Sequence, residues 1–191
     1  FPYTTLFRSL GAVAGYIGGY FDTIIMRLVD ILISIPSILL AISISVTLGG
    51  GLRNVMIAVG IGSIPSYARV MRASVLSIKE LQYIEAARAL GTRKHSILLK
   101  HIIPNTLAPI IVQSTLGVAG AILAAAGLGF IGLGIEPPNP EWGAMLNAGR
   151  QFIRDYPHMS IYPGIAIMIT ILSLNLLGDG LRDALDPKMD R

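Results

Sequence analysis

The sequence predicts an all-α integral membrane fold, and three observations carry that prediction. First, charged residues make up 14% of the 191-residue chain and hydrophobic ones 53%, with a mean hydropathy of +0.67. A soluble domain of this size carries about 25% charged residues. Second, the charges are clustered. No charged side chain occurs from Ile102 to Ile135, and none from Tyr156 to Gly178 apart from the titratable His158. Runs of roughly 20 apolar residues cross a bilayer core about 30 Å thick. Third, the 15 Lys and Arg residues gather at the ends of the apolar runs. The net charge of +4 is therefore read as membrane orientation rather than as a nucleic-acid surface.

Taken in order, residues 1–9 (Phe-Pro-Tyr-Thr-Thr-Leu-Phe-Arg-Ser) have the look of a translated sequencing adapter. They are expected to be foreign to the fold, with the protein truncated at its start. Leu10 to Tyr20 is expected to be the end of a partial span, with Gly11, Gly15 and Gly19 on one helix face that lets a neighbour approach closely. Complete spans are expected at about 28–48, 54–78, 102–125 and 159–178, with a turn at Gly49-Gly50-Gly51. Arg69 and Arg72 interrupt the second of these. A central arginine costs about 2.5–3.5 kcal/mol on insertion scales, so both are expected near an interface, snorkelling or facing protein. Pro36, Pro65, Pro104 and Pro109 remove backbone donors within or beside spans, and neighbouring helices can repair the freed carbonyls.

Basic residues alternate between the two sides. One side receives Arg27, Arg69, Arg72, Lys79, Arg88, Arg93, Lys94, Lys100, Arg182, Lys188 and Arg191; the other receives Arg53, Arg150 and Arg154, with Arg8 set aside as adapter. The positive-inside rule makes the first set cytoplasmic. Residues 79–101 and the C-terminus are then expected inside, and the loop 136–158 outside.

The cytoplasmic loop reads Tyr83-Ile84-Glu85-Ala86-Ala87-Arg88-Ala89-Leu90-Gly91, then nine residues, then His101-Ile102-Ile103-Pro104-Asn105. Leu81, Ile84 and Ala87 fall at three-residue spacing on one face of a short helix. Gly91 allows a sharp turn, and a second short helix can follow to Lys100. A small, partly apolar helical hairpin is a shape that seats in a partner's groove. An amphipathic loop lying on the membrane surface is the plainer alternative.

The run Glu85-Ala86-Ala87, three residues, Gly91 and the later Pro104 resembles the signature of binding-protein-dependent ABC importer permeases. His101 stands where that family generally has isoleucine, and Ile103 where it has leucine. Lys100-His101-Ile102-Ile103-Pro104-Asn105 is closer to the dipeptide, oligopeptide and nickel branch, and to the second permease of its pair. Gly18-Gly19-Tyr20-Phe21-Asp22, Met26-Arg27 and Asp30, Ala68-Arg69 with Arg72, Phe130 to Gly134, Pro137-Pro138, Glu141-Trp142-Gly143, Gly178-Asp179, Leu181-Arg182-Asp183 and Leu185-Asp186-Pro187 resemble the same branch. Ala125 stands before Leu128 in place of the acidic residue that many members carry.

The resemblance implies a type I (MetI-like) helical bundle. It implies a subunit without catalytic residues, cofactor or metal, coupled through Glu85, Ala86, Ala87, Gly91 and Pro104 to cytoplasmic ATP-binding subunits. The other expected partners are a second permease subunit (a paralogue), an extracytoplasmic substrate-binding protein and membrane lipid, in a bacterial inner membrane. Dipeptides, longer peptides, glutathione and nickel all suit the branch as cargo.

Other motifs carry less. Gly127-Leu128-Gly129-Phe130-Ile131-Gly132 has the spacing of a dinucleotide fingerprint, which has meaning only between a strand and a helix; here it closes an apolar run, and helix packing is expected. His95, His101 and His158 lack zinc-ligand spacing. Asp155, His158 and Ser160 are near in sequence without a positioned nucleophile. The loop around Trp142, with a helix expected from Trp142 to Ile153, suits a binding-protein surface, an interfacial helix, or both. A secondary transporter would need ionisable groups at mid-membrane, where Asp30 is the one internal candidate, near a span end. A membrane-anchored enzyme would need clustered acid, base or metal residues at one interface.

Overall fold

The computed structural model describes residues 11–135 and 138–185. The expectations for the adapter stretch, Leu10, Glu136, Pro137 and the residues from Asp186 onward lie outside the described residues. Every regular element among the described residues is helical: α1 (residues 11–17), α2 (Gly19–Ser34), α3 (Ser37–Leu48), α4 (Leu52–Lys79), α5 (Gln82–Ala89), α6 (Lys94–Ile97), a π-helical turn (Leu98–Ile102), α7 (Ile103–Asn105), α8 (Leu107–Phe130), α9 (Trp142–Gly149) with a 3₁₀ turn (Arg150–Phe152), and α10 (His158–Leu185).

α8 and α10 are each long and apolar enough to cross a membrane, with a mean hydropathy of 1.8, and α2 with α3 makes a third if the bent pair is one span. α4 has the length but carries Arg53, Arg69, Arg72 and Lys79 and falls short on hydropathy. The expected span 28–48 is thus two helices rather than one. Pro36 has no N–H to continue α2 and disfavours helical geometry at Ile35, so the chain turns extended at Pro36 (φ −52°, ψ 128°) before α3. Pro65, by contrast, sits inside α4 without ending it. Hydroxyls on the apolar helices turn back onto their own backbone: Ser43 donates to the Leu39 carbonyl, Ser114 to Ile110 and Thr170 to Ala166, at 2.7–2.9 Å. That satisfies them without water, as a bilayer demands. Leu123, Met168, Leu172 and Leu176 are more than half exposed, an apolar surface suited to lipid rather than water.

The chain divides into two compact units. The first holds residues up to Ser34, Ile64–Ser114 and those from Gly180. Its core is Ala12, Met71, Val75, Ile84, Ile97, Ile102 and Ile110. α1 lies close on α4. A Cβ added at Gly11 would stand 2.6 Å from the Ala68 carbonyl oxygen, and one at Gly15 would be 3.1 Å from that of Arg72. Two members of the expected glycine face therefore do approach a neighbouring helix. Gly19 does not: α1 has ended by Ile17, and nothing lies within 4 Å of a Cβ there. Arg69 and Arg72 of α4 both find acidic partners on α2. Arg72 donates from Nε and Nη2 to both Asp22 oxygens, at 2.7 and 2.6 Å, and Arg69 pairs with Asp30 at 2.8 Å. Lys79 Nζ donates to the Gly15 carbonyl at 3.2 Å.

The second unit holds Ile35–Ser63 and Thr115–Asp179, around Ala41, Val55, Ala58 and Leu128. The glycine-rich end of α8 is a helix terminus and not a nucleotide cradle. Gly132 (φ +84°) donates to the Gly129 carbonyl and Leu133 to that of Leu128. This is the paired C-terminal closure that needs a left-handed residue at its centre, and Leu128 and Leu133 both join the apolar core. Glu141 caps α9, accepting from the Gly143 and Ala144 N–H groups at 2.7 and 2.6 Å. The helix expected from Trp142 to Ile153 is α-helical to Gly149 and continues as the 3₁₀ turn.

Candidate functional site

The segment from Leu81 to Asn105 lies wholly in the first unit. Leu81 caps the start of α5, its carbonyl accepting from the Ile84 and Glu85 N–H groups at 2.9 and 3.3 Å. Glu85 falls in its first turn and Arg88 in its last, the placement that a helix dipole favours. Ile84 is fully buried and Ala87 packs beside it, as the three-residue spacing predicts. Leu81 departs from that expectation: it stands outside the helix as its cap and is 46% exposed.

Gly91 ends the helix in the same manner as Gly132. Its φ is +77°, its N–H donates to the Arg88 carbonyl at 3.0 Å, and the Thr92 N–H reaches back to Ala87 at 3.1 Å. Only a left-handed residue completes this pattern. Arg93 then starts α6, and Ile97, just before the π turn, and Ile102, its last residue, are both fully buried. Pro104 has no N–H for the turn before it, and the wider π turn comes just ahead of it. Asn105 Nδ2 donates to the His101 carbonyl at 2.6 Å and to the Tyr83 hydroxyl at 3.3 Å. That bond ties α5 to the segment leading into α8. Tyr83 and Asn105 stand in the motif as read from the sequence, but nothing in the spacing pairs them.

The result is a hairpin with an anchored inner face and an open outer one. Glu85, Ala86, Arg88, Ala89, Leu90 and Gly91 are exposed, and Leu90 reaches 86%. Glu85 has no ion pair among the described residues. The five residues expected to act together do share this segment. Glu85, Ala86 and Gly91 are on its outside, Ala87 is half-buried, and Pro104 is exposed beyond the π turn.

Several known proteins are similar to this chain. The dipeptide transport system permease protein DppC of Alkalihalophilus pseudofirmus is 51% identical over 181 residues, which cover 95% of this chain and 60% of that protein. The glutathione transport system permease protein GsiD of Pectobacterium atrosepticum is 49% identical over 181 residues, with the same shares. The chain thus spans about 60% of the length of the curated relatives it matches. Among solved structures, a chain of the MetNI methionine ABC transporter in an inward-facing conformation superposes with a TM-score of 0.68 at 20% identity, covering 96% of this chain and 93% of that one. This last likeness is one of fold.

The family described as binding-protein-dependent transport system inner membrane component matches residues 9–191, so with its helical hairpin and apolar helices the chain belongs to that family.

Proposed function

We propose that the chain is the transmembrane permease subunit of an ATP-driven importer, forming half of a translocation pathway with a second permease subunit. A cytoplasmic ATPase subunit docks on the hairpin from α5 to Gly91. The observation that carries this reading is the hairpin's two-sidedness. Ile84, Ile97 and Ile102 root it in the same core as Met71 and Val75 of α4 and Ile110 of α8. A push on Glu85, Ala86 or Leu90 therefore reaches those helices through packed side chains rather than being lost in a flexible loop. Glu85 is the charged contact, Ala86 and Ala87 permit close approach, and Gly91 and Pro104 shape the turns on either side.

The orientation has a matching pattern. Among the described residues, Arg27, Arg69, Arg72, Lys79, Arg88, Arg93, Lys94, Lys100 and Arg182 all fall in the first unit, while Arg53, Arg150 and Arg154 fall in the second. The positive-inside rule puts the segments that carry the first group on the cytoplasmic side. ATP hydrolysis belongs to the partner. The cargo is a peptide or related small solute, delivered by an extracytoplasmic binding protein; the relatives named for dipeptide and glutathione transport support that class.

This stretch has no cysteine, so Ala86→Cys introduces its single thiol, on the outer face of α5. In the whole permease, with any cysteine outside this stretch replaced by serine, a membrane-impermeant maleimide is expected to label it only after cells are permeabilised. A short bifunctional reagent is expected to join it to the ATPase subunit. Labelling in intact cells would reverse the orientation and remove the docking proposal with it.

A further inference from the structure

A groove of about 750 Å³ opens in the first unit between α1, the end of α4 and the α5–α6 hairpin. Lys79, Arg88, Lys94 and His95 line it, and no acidic side chain does. Lys79 uses one N–H on the Gly15 carbonyl. The side chains of Arg88, Lys94 and His95 have no hydrogen bond or ion pair to any other described residue. Basic groups gathered around one cavity repel one another, and an anion between them removes that repulsion.

The rest of the wall is mostly apolar: Val13, Tyr16 and Ile17 of α1, with Thr92, Ile97 and Leu98, complete the groove, and Ile17 is 62% exposed. A small soluble anion has no use for such a wall; a phosphate carrying acyl chains has. We propose that this groove is a binding site for the headgroup phosphate of an anionic phospholipid, with the basic residues on the phosphate and the α1 side chains against the glycerol and acyl end. Basic pockets among membrane helices on the cytoplasmic side are suited to acidic headgroups. The inference rests on the reading above only in assigning the groove to the inner leaflet.

The test is lipid binding to the full-length permease alone, without ATPase, measured by native mass spectrometry with phosphatidylglycerol and phosphatidylcholine. Lipid affinity and ATPase capture are thereby separate results, and neither depends on leaflet. Arg88→Gln/Lys94→Gln is expected to weaken phosphatidylglycerol binding roughly 30-fold, at about fivefold per basic residue. It should leave phosphatidylcholine binding unchanged. Arg93→Gln/Lys100→Gln removes the same charge from the same loop outside the groove, and is expected to matter little. Excess glycerol phosphate should not displace the lipid. Should the double variant fail to fold, Ile17→Glu puts a carboxylate beside the cations from an exposed position and is expected to weaken the same binding. Unchanged affinity in either folded variant, an equal loss in the control pair, or displacement by glycerol phosphate overturns the proposal, the last outcome assigning the groove to a soluble phosphate instead.

Discussion

Arg72→Met should destabilise the protein by about 2–3 kcal/mol, below the 3–5 kcal/mol of a fully buried pair because some solvent reaches this one. Arg72 holds Asp22 through two parallel hydrogen bonds, the strong form of an arginine–carboxylate contact. The Asp22 side chain is only 14% exposed. Removing the arginine leaves that carboxylate with little water to take its place. Removing both charges is gentler, because no unpaired ion remains. Asp22→Asn/Arg72→Met is therefore expected to recover most of the loss in thermal unfolding of the detergent-solubilised protein. Arg69→Met supplies the contrast. Its partner Asp30 and Arg69 itself are about half exposed, and a pair in that setting contributes under about 1 kcal/mol. Equal losses for Arg69→Met and Arg72→Met would show that burial does not set the difference, and the assignment of Arg72–Asp22 as the tie between α2 and α4 would fall.

Gly143→Ala is the second large effect. Gly143, in the first turn of α9, lies against the backbone of α8, and an added Cβ would overlap the Ala126 carbonyl oxygen and lie 2.8 Å from both the Ala126 carbonyl carbon and Cα. These are main-chain atoms, with no rotamer to move aside. Overpacking of this kind costs about 1–3 kcal/mol, and the rigid neighbour places the substitution at the upper end. The same shift would draw the Gly143 N–H away from Glu141, losing part of the cap. Gly120→Ala, in the middle of α8 with nothing within 4 Å of its Cβ, is expected to be neutral or slightly stabilising, since alanine is the better helix former. Comparable unfolding midpoints for the two variants would contradict the close α8–α9 packing.

The fold class and the hairpin were legible because both depend on local spacing. Uncharged runs announce α8 and α10 without reference to anything distant, and the three-residue pattern places Ile84 and Ala87 inward. Gly91 was legible as a turn because few other residues tolerate its geometry. The ion pairs were harder. Asp22 and Arg72 lie 50 residues apart, and hydropathy shows that an arginine in α4 needs a partner without saying which. Pro36 and Pro65 look alike in sequence; one separates two helices and the other is accommodated, and nothing in the local spacing tells them apart. Gly19 continued the four-residue glycine spacing, yet α1 had already ended. The groove beside α1 was invisible as a site, because Tyr16, Lys79 and His95 meet there only after the hairpin folds back.

Co-purification of the full-length permease with its ATPase subunit tests the central claim most directly, comparing wild type with Glu85→Lys and Gly91→Asp. Glu85→Lys reverses an exposed charge without touching the core. Gly91→Asp strains the left-handed turn by about 1–2 kcal/mol, with open space around the new side chain. The account predicts that wild type retains the ATPase and that both variants, still folded, lose most of it. A folded permease that retains the ATPase equally in all three forms, or in none, would contradict docking on the α5 hairpin.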